Sequence, residues 1–299
     1  MIRAFSRLAR WIRWLGLPRI PRPPGLVLYS ERIVERHRRW IEEETPGVHP
    51  LSECRSTFVR FDDPDEAWKC CPFWQRKLSN KLIGKEFAIH NGVRCAEVLW
   101  KGKDVRSLRF EDLPVSYVIK TSIGWSSRQV LAMKDGRNLL DRKRYTQEAI
   151  IRRYERLMSE KPYSEDVVFV EEMLSDRLLP DYKLYIFHGK VERIEYIDRA
   201  KRRMAWFDRA WSPADPMSVE FPLAVGVPLP GHLDELVECG ERLGRAYGAF
   251  VRVDLYCTPR GVFFGEFTPF SARGIGFADR TNQEFGHLLM EPGQELGQR

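Results

Sequence analysis

Apolar and polar positions repeat with two different periods along this chain, and the change of period divides it. Near the start, Ile2, Phe5, Leu8, Trp11, Ile12 and Leu15 return at helical spacing with Arg3, Arg7, Arg10 and Arg13 between them. This predicts a short basic amphipathic helix, stopped by Pro18, Pro21, Pro23 and Pro24. A charged helix is expected over 30–45, an irregular segment with four prolines over 46–76, and another helix around Leu78–Ile89. From residue 113 the pattern shortens to β-branched and aromatic runs bounded by turn residues. Strands are predicted at 115–120, 128–133, 167–171, 182–187, 191–198, 250–256 and 262–268, with helices at 145–159, 233–247 and 282–290. Hairpins separated by helices point to an α+β fold rather than a doubly wound parallel sheet.

The last two strands carry the first chemical signal. A three-residue loop, Pro259-Arg260-Gly261, would pair Thr258 with Val262 and set Tyr256 opposite Phe264, Asp254 opposite Glu266 and Arg252 opposite Thr268. Val251, Val253 and Leu255, with Phe263, Gly265 and Phe267, would then form the core face. Directly opposed side chains lie about 5 Å apart, where two carboxylates repel unless a cation lies between them. Mg²⁺ suits such a pair, because it takes hard oxygen ligands and often only one or two protein carboxylates. A solvated acidic pair on an exposed strand is the ordinary alternative.

Upstream, no P-loop is present, and Gly274-Ile275-Gly276 lacks the third glycine of a dinucleotide fingerprint. A different phosphate-binding design is visible: a strand ending at Lys120, a loop of small residues containing Gly124 and Ser126, and a return strand. Val167–Val170 then runs into Glu171 and Glu172, which suits an adenine edge and its ribose. Asp181, Lys183, Tyr185 and Phe187 share one face of the next strand, which turns through His188-Gly189 and returns to Arg199. Basic residues beside acids on that face would neutralise phosphate charge.

Charge and composition narrow the partners. The net +7 is concentrated in residues 1–22, which hold six arginines and no acid, so the other 277 residues carry only +1. A nucleic-acid surface is therefore not expected. The basic helix suits peripheral contact of residues 1–24 with an anionic membrane, and packing on the protein's own body is the alternative. There is no apolar run long enough to span a bilayer. Six cysteines without metal-ligand spacing, and no secretory signal, point to reduced thiols and a cytoplasmic location.

Taken in order, the strand-Lys120-glycine loop, Val170-Glu171-Glu172, Asp181-Tyr182-Lys183 with its His188-Gly189 hairpin, Arg252-Val253-Asp254 and Gly265-Glu266-Phe267-Thr268 resemble the ATP-grasp superfamily. Within it they are similar to the TupA-like branch of polysaccharide and teichuronic acid biosynthesis loci. The resemblance runs from about Leu78 to Leu289. It implies two α+β lobes clasping ATP: a leading part at 78–112, a small lobe with the glycine loop at 113–174 and a large lobe with the metal site at 175–299; a basic segment at 1–25 and an extension at 26–77 precede them, fall largely outside the resemblance and inherit nothing from it. It also implies amide-forming ligation of a carboxylate and an amine through an acyl phosphate, with a small-molecule or glycan acceptor. Lys81, Lys120, Gly124 and Ser126 would meet ATP phosphates. Glu171, Glu172 and Asp181 would meet adenosine, and Asp254 and Glu266 would ligate Mg²⁺. Arg252, Lys183 and Arg199 would hold the transferring phosphate or the acceptor carboxylate, and Arg273 and Gly274 would border the acceptor. Asn80 replaces the usual Asp before the lysine, His188 a common Asn, and Thr268 the Asn metal ligand of many relatives. Two rival activities remain open: an ATP-dependent kinase of a sugar or glycan hydroxyl, and a nucleotide-binding adaptor without turnover.

Overall fold

The computed structural model describes residues 26–44, 74–124, 129–160, 166–271 and 276–290. The expected basic helix over residues 1–24 and most of the segment 46–76 lie outside these. Two five-stranded antiparallel sheets organise the rest. The first contains β1 (Val98–Gly102), β2 (Ser116–Thr121), β3 (Val130–Lys134), β4 (Arg137–Asn138) and β5 (Val168–Glu172), in the order β1-β5-β2-β3-β4. The second contains β6 (Asp181–Phe187), β7 (Lys190–Asp198), β8 (Arg203–Phe207), β9 (Val251–Thr258) and β10 (Gly261–Thr268), in the order β10-β9-β6-β7-β8. Five helices accompany them among the described residues: α1 (Tyr29–Glu44), α2 (Lys81–His90), α3 (Gln147–Ser159), α4 (Leu233–Tyr247) and α5 (Asp279–Leu288).

Alternation of side chains assigns each sheet a dry face and a cleft face. In the first sheet Ile119, Leu131, Met133, Val168 and Val170 pack with Ile150 and Tyr154 of α3. That leaves Val118, Lys120, Ala132 and Glu171 on the opposite face, where they line a cleft. In the second sheet Leu184, Ile186, Val253 and Leu255 pack with Leu236 and Leu243 of α4. Its other face is split. Tyr185 and Phe187 are covered by Tyr29 and Ile33 of α1 and Phe285 of α5, while Asp181, Lys183, Asp254 and Glu266 face the cleft.

The β9–β10 register departs from the sequence expectation and reaches the same acid pair. Gly261, not Val262, pairs with Thr258, so the loop has two residues and the ladder begins one step earlier. Phe264 therefore opposes Leu255, yet Glu266 still opposes Asp254, because Gly265 is an extra residue that shifts the register. The bulge reverses the face of everything before it. Phe264, rather than Phe263, joins the core, and Phe263 lies beneath the guanidinium groups of Arg94 and Arg260. Gly265 fits the bulge closely: an added Cβ would sit 3.0 Å from both the Asp254 carbonyl oxygen and the Tyr256 ring, so one of them would have to shift.

The leading part expected at 78–112 is shared between the two sheets. β1 pairs with β5 in the first sheet, whereas α2 packs on β10 of the second, Phe87 meeting Phe267 with centroids 5.7 Å apart. Gly84 allows that approach, since a Cβ there would lie 3.3 Å from the Phe267 ring and 2.8 Å from the Leu78 carbonyl oxygen. Asn80 caps α2, its side-chain oxygen accepting from the N–H groups of Leu82 and Ile83. The tight turn read at His188-Gly189 forms as expected, with positive φ at both residues.

Candidate active site

Four strands of the second sheet place Glu266, Asp254, Lys183 and Glu195 at directly opposed positions, which makes one polar row. Arg252, two residues before Asp254 on the same face, grips its carboxylate bidentately: Nε donates to Oδ1 at 2.7 Å and Nη2 to Oδ2 at 2.9 Å. Lys183 Nζ donates to the same Oδ2 at 3.1 Å. Burial opposes ionisation of Asp254, but Arg252 and Lys183 outweigh it and hold the carboxyl below the usual range. Glu195 behaves oppositely. Burial raises its pKa despite Lys183 and Arg252, and it accepts a hydrogen bond from the Tyr185 hydroxyl at 3.2 Å.

Glu266 is held loosely and remains partly open, its side chain 35% exposed. Arg252 Nη2 lies 3.7 Å away and Lys81 Nζ 3.5 Å away. Lys81, in the first turn of α2, also donates to the Gly124 carbonyl at 2.5 Å. One lysine therefore spans from the acid pair of the second sheet to the glycine loop of the first. The base of that loop is fixed by Asp166, which accepts from the Ser122 hydroxyl at 2.9 Å and the Ile123 N–H at 2.8 Å.

In the first sheet Lys120 Nζ stands 2.6 Å from Glu171 Oε1, and Lys85 Nζ stands 2.9 Å from Oε2. Burial would raise the Glu171 pKa, yet the two lysines outweigh burial and lower it. Glu172, next in sequence, turns its carboxylate to Arg260 at 3.0 Å and accepts from the Glu97 N–H at 3.2 Å. Across the cleft, Arg199 Nε donates to Asp181 Oδ2 at 2.8 Å. Asp181 is nevertheless raised, because burial outweighs Lys183 and Arg199.

These groups surround a single cavity of about 640 Å³. Lys81, Lys120, Gly124, Glu171, Glu172, Asp181, Lys183, Arg199, Arg252, Asp254 and Glu266 all line it. Ser126, Arg273 and Gly274 fall outside the described residues. Val118, Ala132, Leu140, Met173 and Leu178 supply an apolar part, which suits the flat face of a base. No group of three or more His, Cys, Asp or Glu side chains able to hold a metal ion occurs among the described residues.

Three participants were missed from sequence. Lys85 was signalled by its place one helical turn after Lys81, which puts both amines on one face of α2. Glu195 was signalled by its register opposite Lys183. His37 had no such signal. It enters the cleft wall from α1, its ring stacked on Phe270 at 4.5 Å. Burial, then Arg76 and Arg36, push its pKa down to about 3, so the ring is neutral. Arg36 locks α1 in place by donating to the carbonyls of Phe250 at 3.1 Å and Pro269 at 2.7 Å.

The sequence model of the family described as TupA-like ATPgrasp matches residues 74–292, and the chain belongs to that family. No curated protein matches it. Among solved structures it is similar to the D-alanine--D-alanine ligase of Bacillus anthracis, with 16% identity and a TM-score of 0.48 over 72% of this chain and 64% of that one. The chain thus spans about 64% of that ligase's length. It is also similar to the L-amino acid ligase of Bacillus licheniformis, with 11% identity and a TM-score of 0.45 over 71% of this chain and 49% of that one. A third is the ATP-grasp ligase PsnB, in a complex with minimal precursor, Mg and ADP, with 14% identity and a TM-score of 0.41 over 66% and 52%. Residues 26–44, with α1 and His37, lie outside the matched segment.

Proposed function

We propose that this protein is an ATP- and Mg²⁺-dependent ligase that joins a carboxylate to an amine. The observation that carries the reading is Lys81, whose amine reaches both the glycine loop at Gly124 and the acid pair at Glu266. It brings the glycine loop and the acid pair to one cavity, which supports binding of a nucleoside triphosphate with its metal.

The donor set fits Mg²⁺. Two carboxylates oppose each other on the cleft face, and Glu266 is held only at 3.5 and 3.7 Å. Glu266 and Asp254 would hold the ion, with phosphate and water completing its shell. Once bound, it would neutralise charge on the triphosphate.

The protein's own groups carry the rest. Lys120 and Lys81 bind phosphate oxygens, and the apolar wall around Val118, Ala132 and Met173 takes the base. Asp181 would meet the ribose and Glu172 the adenine edge, and both line the cavity. Arg252, with Lys183 behind Asp254, orients the transferring phosphate and the acceptor carboxylate. A carboxylate oxygen attacks the γ-phosphorus as the bond to ADP breaks; the amine nitrogen then attacks the acyl carbon, phosphate leaves with the bonding pair, and the nitrogen gives up a proton to the departing phosphate or to water. No side-chain nucleophile is needed, because positioning and charge neutralisation supply most of the rate.

A cell-surface polysaccharide precursor as one substrate, and contact of residues 1–24 with an anionic membrane, complete the proposal. The first comes from the family resemblance and the second from the arginines of that segment. Among the described residues no helix is long and apolar enough to cross a membrane. The central test is Glu266→Gln, expected to lower ATP turnover at least about a hundredfold with the melting temperature unchanged. Full activity in that variant sinks the assignment, and a phosphorylated acceptor without free phosphate would make the protein a kinase.

A further inference from the structure

Lys85 does not line the nucleotide cleft, and it meets the cleft only through Glu171, which does line it. It is 4% exposed, donates to the Ala96 carbonyl at 2.9 Å, and faces Glu171 Oε2 at 2.9 Å. The other oxygen of Glu171 holds Lys120 Nζ at 2.6 Å. The three groups form one chain of charges, Lys120, Glu171 and Lys85, shielded from water, with a net charge of +1. Its two ends have different anchors. Lys120 and Glu171 belong to adjacent strands of the first sheet, whereas Lys85 rides on α2, which packs against β10 of the second.

Consider the pair without Lys85. A carboxylate 2.6 Å from the Lys120 ammonium fixes the amine's position and also cancels its charge. A polyphosphate would then meet a neutral group where it needs a positive one. With Lys85 on the far oxygen, the carboxylate still orients Lys120, but its negative charge is answered from behind. The low exposure of all three groups makes this compensation stronger than it would be in water. The depressed pKa of Glu171, which burial opposes and the two lysines cause, is consistent with a carboxylate that stays ionised between them.

We infer that Lys85 is a positioning residue for nucleotide binding, supplying the counter-charge that lets Glu171 hold Lys120 in place without cancelling its attraction for phosphate. The inference rests on the nucleotide-site reading above. Both Glu171 oxygens face lysines, so this acid serves Lys120 instead of the adenosine contact that the resemblance implies for it, and the base and ribose are indifferent to Lys85.

The experiment measures dissociation constants for ATP and for adenosine by calorimetry, using the full chain and folded variants checked by circular dichroism. Lys85→Met should weaken ATP about ten- to a hundredfold and leave adenosine within about twofold. Lys85→Arg should retain ATP affinity close to that of the wild type. The decisive member is the double variant Lys85→Met/Glu171→Gln, which should bind ATP more tightly than Lys85→Met alone, because removing the acid restores the charge of Lys120. Were Lys85 only a tie between α2 and the first sheet, losing both partners would weaken ATP at least as much as losing one. Lys85→Gln gives the same contrast should the methionine variant not fold. Unchanged ATP affinity in both neutral variants overturns the inference, as does a double variant weaker than the single one. Wild-type protein that binds no ATP overturns the nucleotide reading itself and takes this inference with it.

Discussion

The two walls of the cleft solve opposite electrostatic problems. On the first sheet one acid, Glu171, sits between two lysines, and the cluster is left positive. On the second, Glu266, Asp254 and Glu195 share a row with one lysine, and balance comes from neighbours outside the row, Arg252 and Lys81. The acids of the second wall are also unequal: Asp254 is held below the usual carboxylate range while Glu195 and Asp181 are pushed above it. The cluster on the first wall keeps a net positive charge. The second wall holds negative charge in reserve, with one carboxylate, Glu266, left loose enough to exchange its partners.

The largest effect is expected where that second balance is tightest. Replacing Asp254 by Ala removes the shared acceptor of Arg252 and Lys183 and leaves two cations facing each other in a buried site. The expected loss is roughly 3–5 kcal/mol of stability, together with all ATP turnover. Chemical denaturation measures the first and phosphate release the second. Glu266→Gln provides the contrast, because among the described residues its carboxylate has no ionic partner closer than 3.5 Å and its loss should spare the fold. If both substitutions destabilise equally, the distinction between a structural and an exchangeable acid fails.

A titration sharpens the same contrast with a smaller effect. Asp181 and Glu195 have raised pKa values, so the stability tied to their neutral forms is fully present at low pH and is lost as pH rises through their folded values. Asp254 and Glu171 are depressed, so theirs is present above the unfolded carboxyl range, about pH 4, and is lost as pH falls through their folded values. Stability should therefore peak in mild acid and fall on both sides. Glu195→Gln keeps an acceptor for Tyr185, so it should raise the melting temperature on the alkaline side of the Glu195 transition and flatten the rise in stability as pH falls toward the unfolded carboxyl range. A steeper profile in that variant would contradict the burial argument.

Where a pattern had room to repeat, the sequence was explicit. Helix α4 spans the predicted residues 233–247, and the six strands of the three hairpins at 116–134, 181–198 and 251–268 lie within two or three residues of their expected bounds. β1, β4 and β8 were not seen. β1 is a five-residue strand with no regular alternation of burial, β4 has two residues, and β8 follows a basic turn that masks its apolar run. The acid pair was found through two compensating errors, a loop taken one residue too long and a bulge not recognised. Glycine in a strand is a known mark of a bulge, and Gly265 carried that mark. What single-sequence reading could not supply was the arrival of distant elements: α1 bringing His37 to Phe270, and α2 placing Lys85 behind Glu171.

The smallest expected effect concerns Asn80, the N-cap residue just before the lysine that spans the two walls. The resemblance places an Asp there in relatives, and the structure explains why Asn serves. Its side-chain oxygen caps α2 by accepting from Leu82 N–H at 3.0 Å and Ile83 N–H at 3.4 Å, a task that either residue performs. Asn80→Asp should therefore change stability by less than about 0.5 kcal/mol, the gain from a charge at the helix N-terminus being offset by the cost of placing that charge at a buried position. Asn80→Ala should cost about 1 kcal/mol and weaken ATP binding as well, because Lys81 is the next residue and its reach to Gly124 and Glu266 depends on the first turn staying wound. Thermal melts and ATP calorimetry on the two variants separate the roles. If Asn80→Asp weakens ATP as much as Asn80→Ala, the side chain does more than cap, and the lysine's bridge between the walls depends on the amide itself.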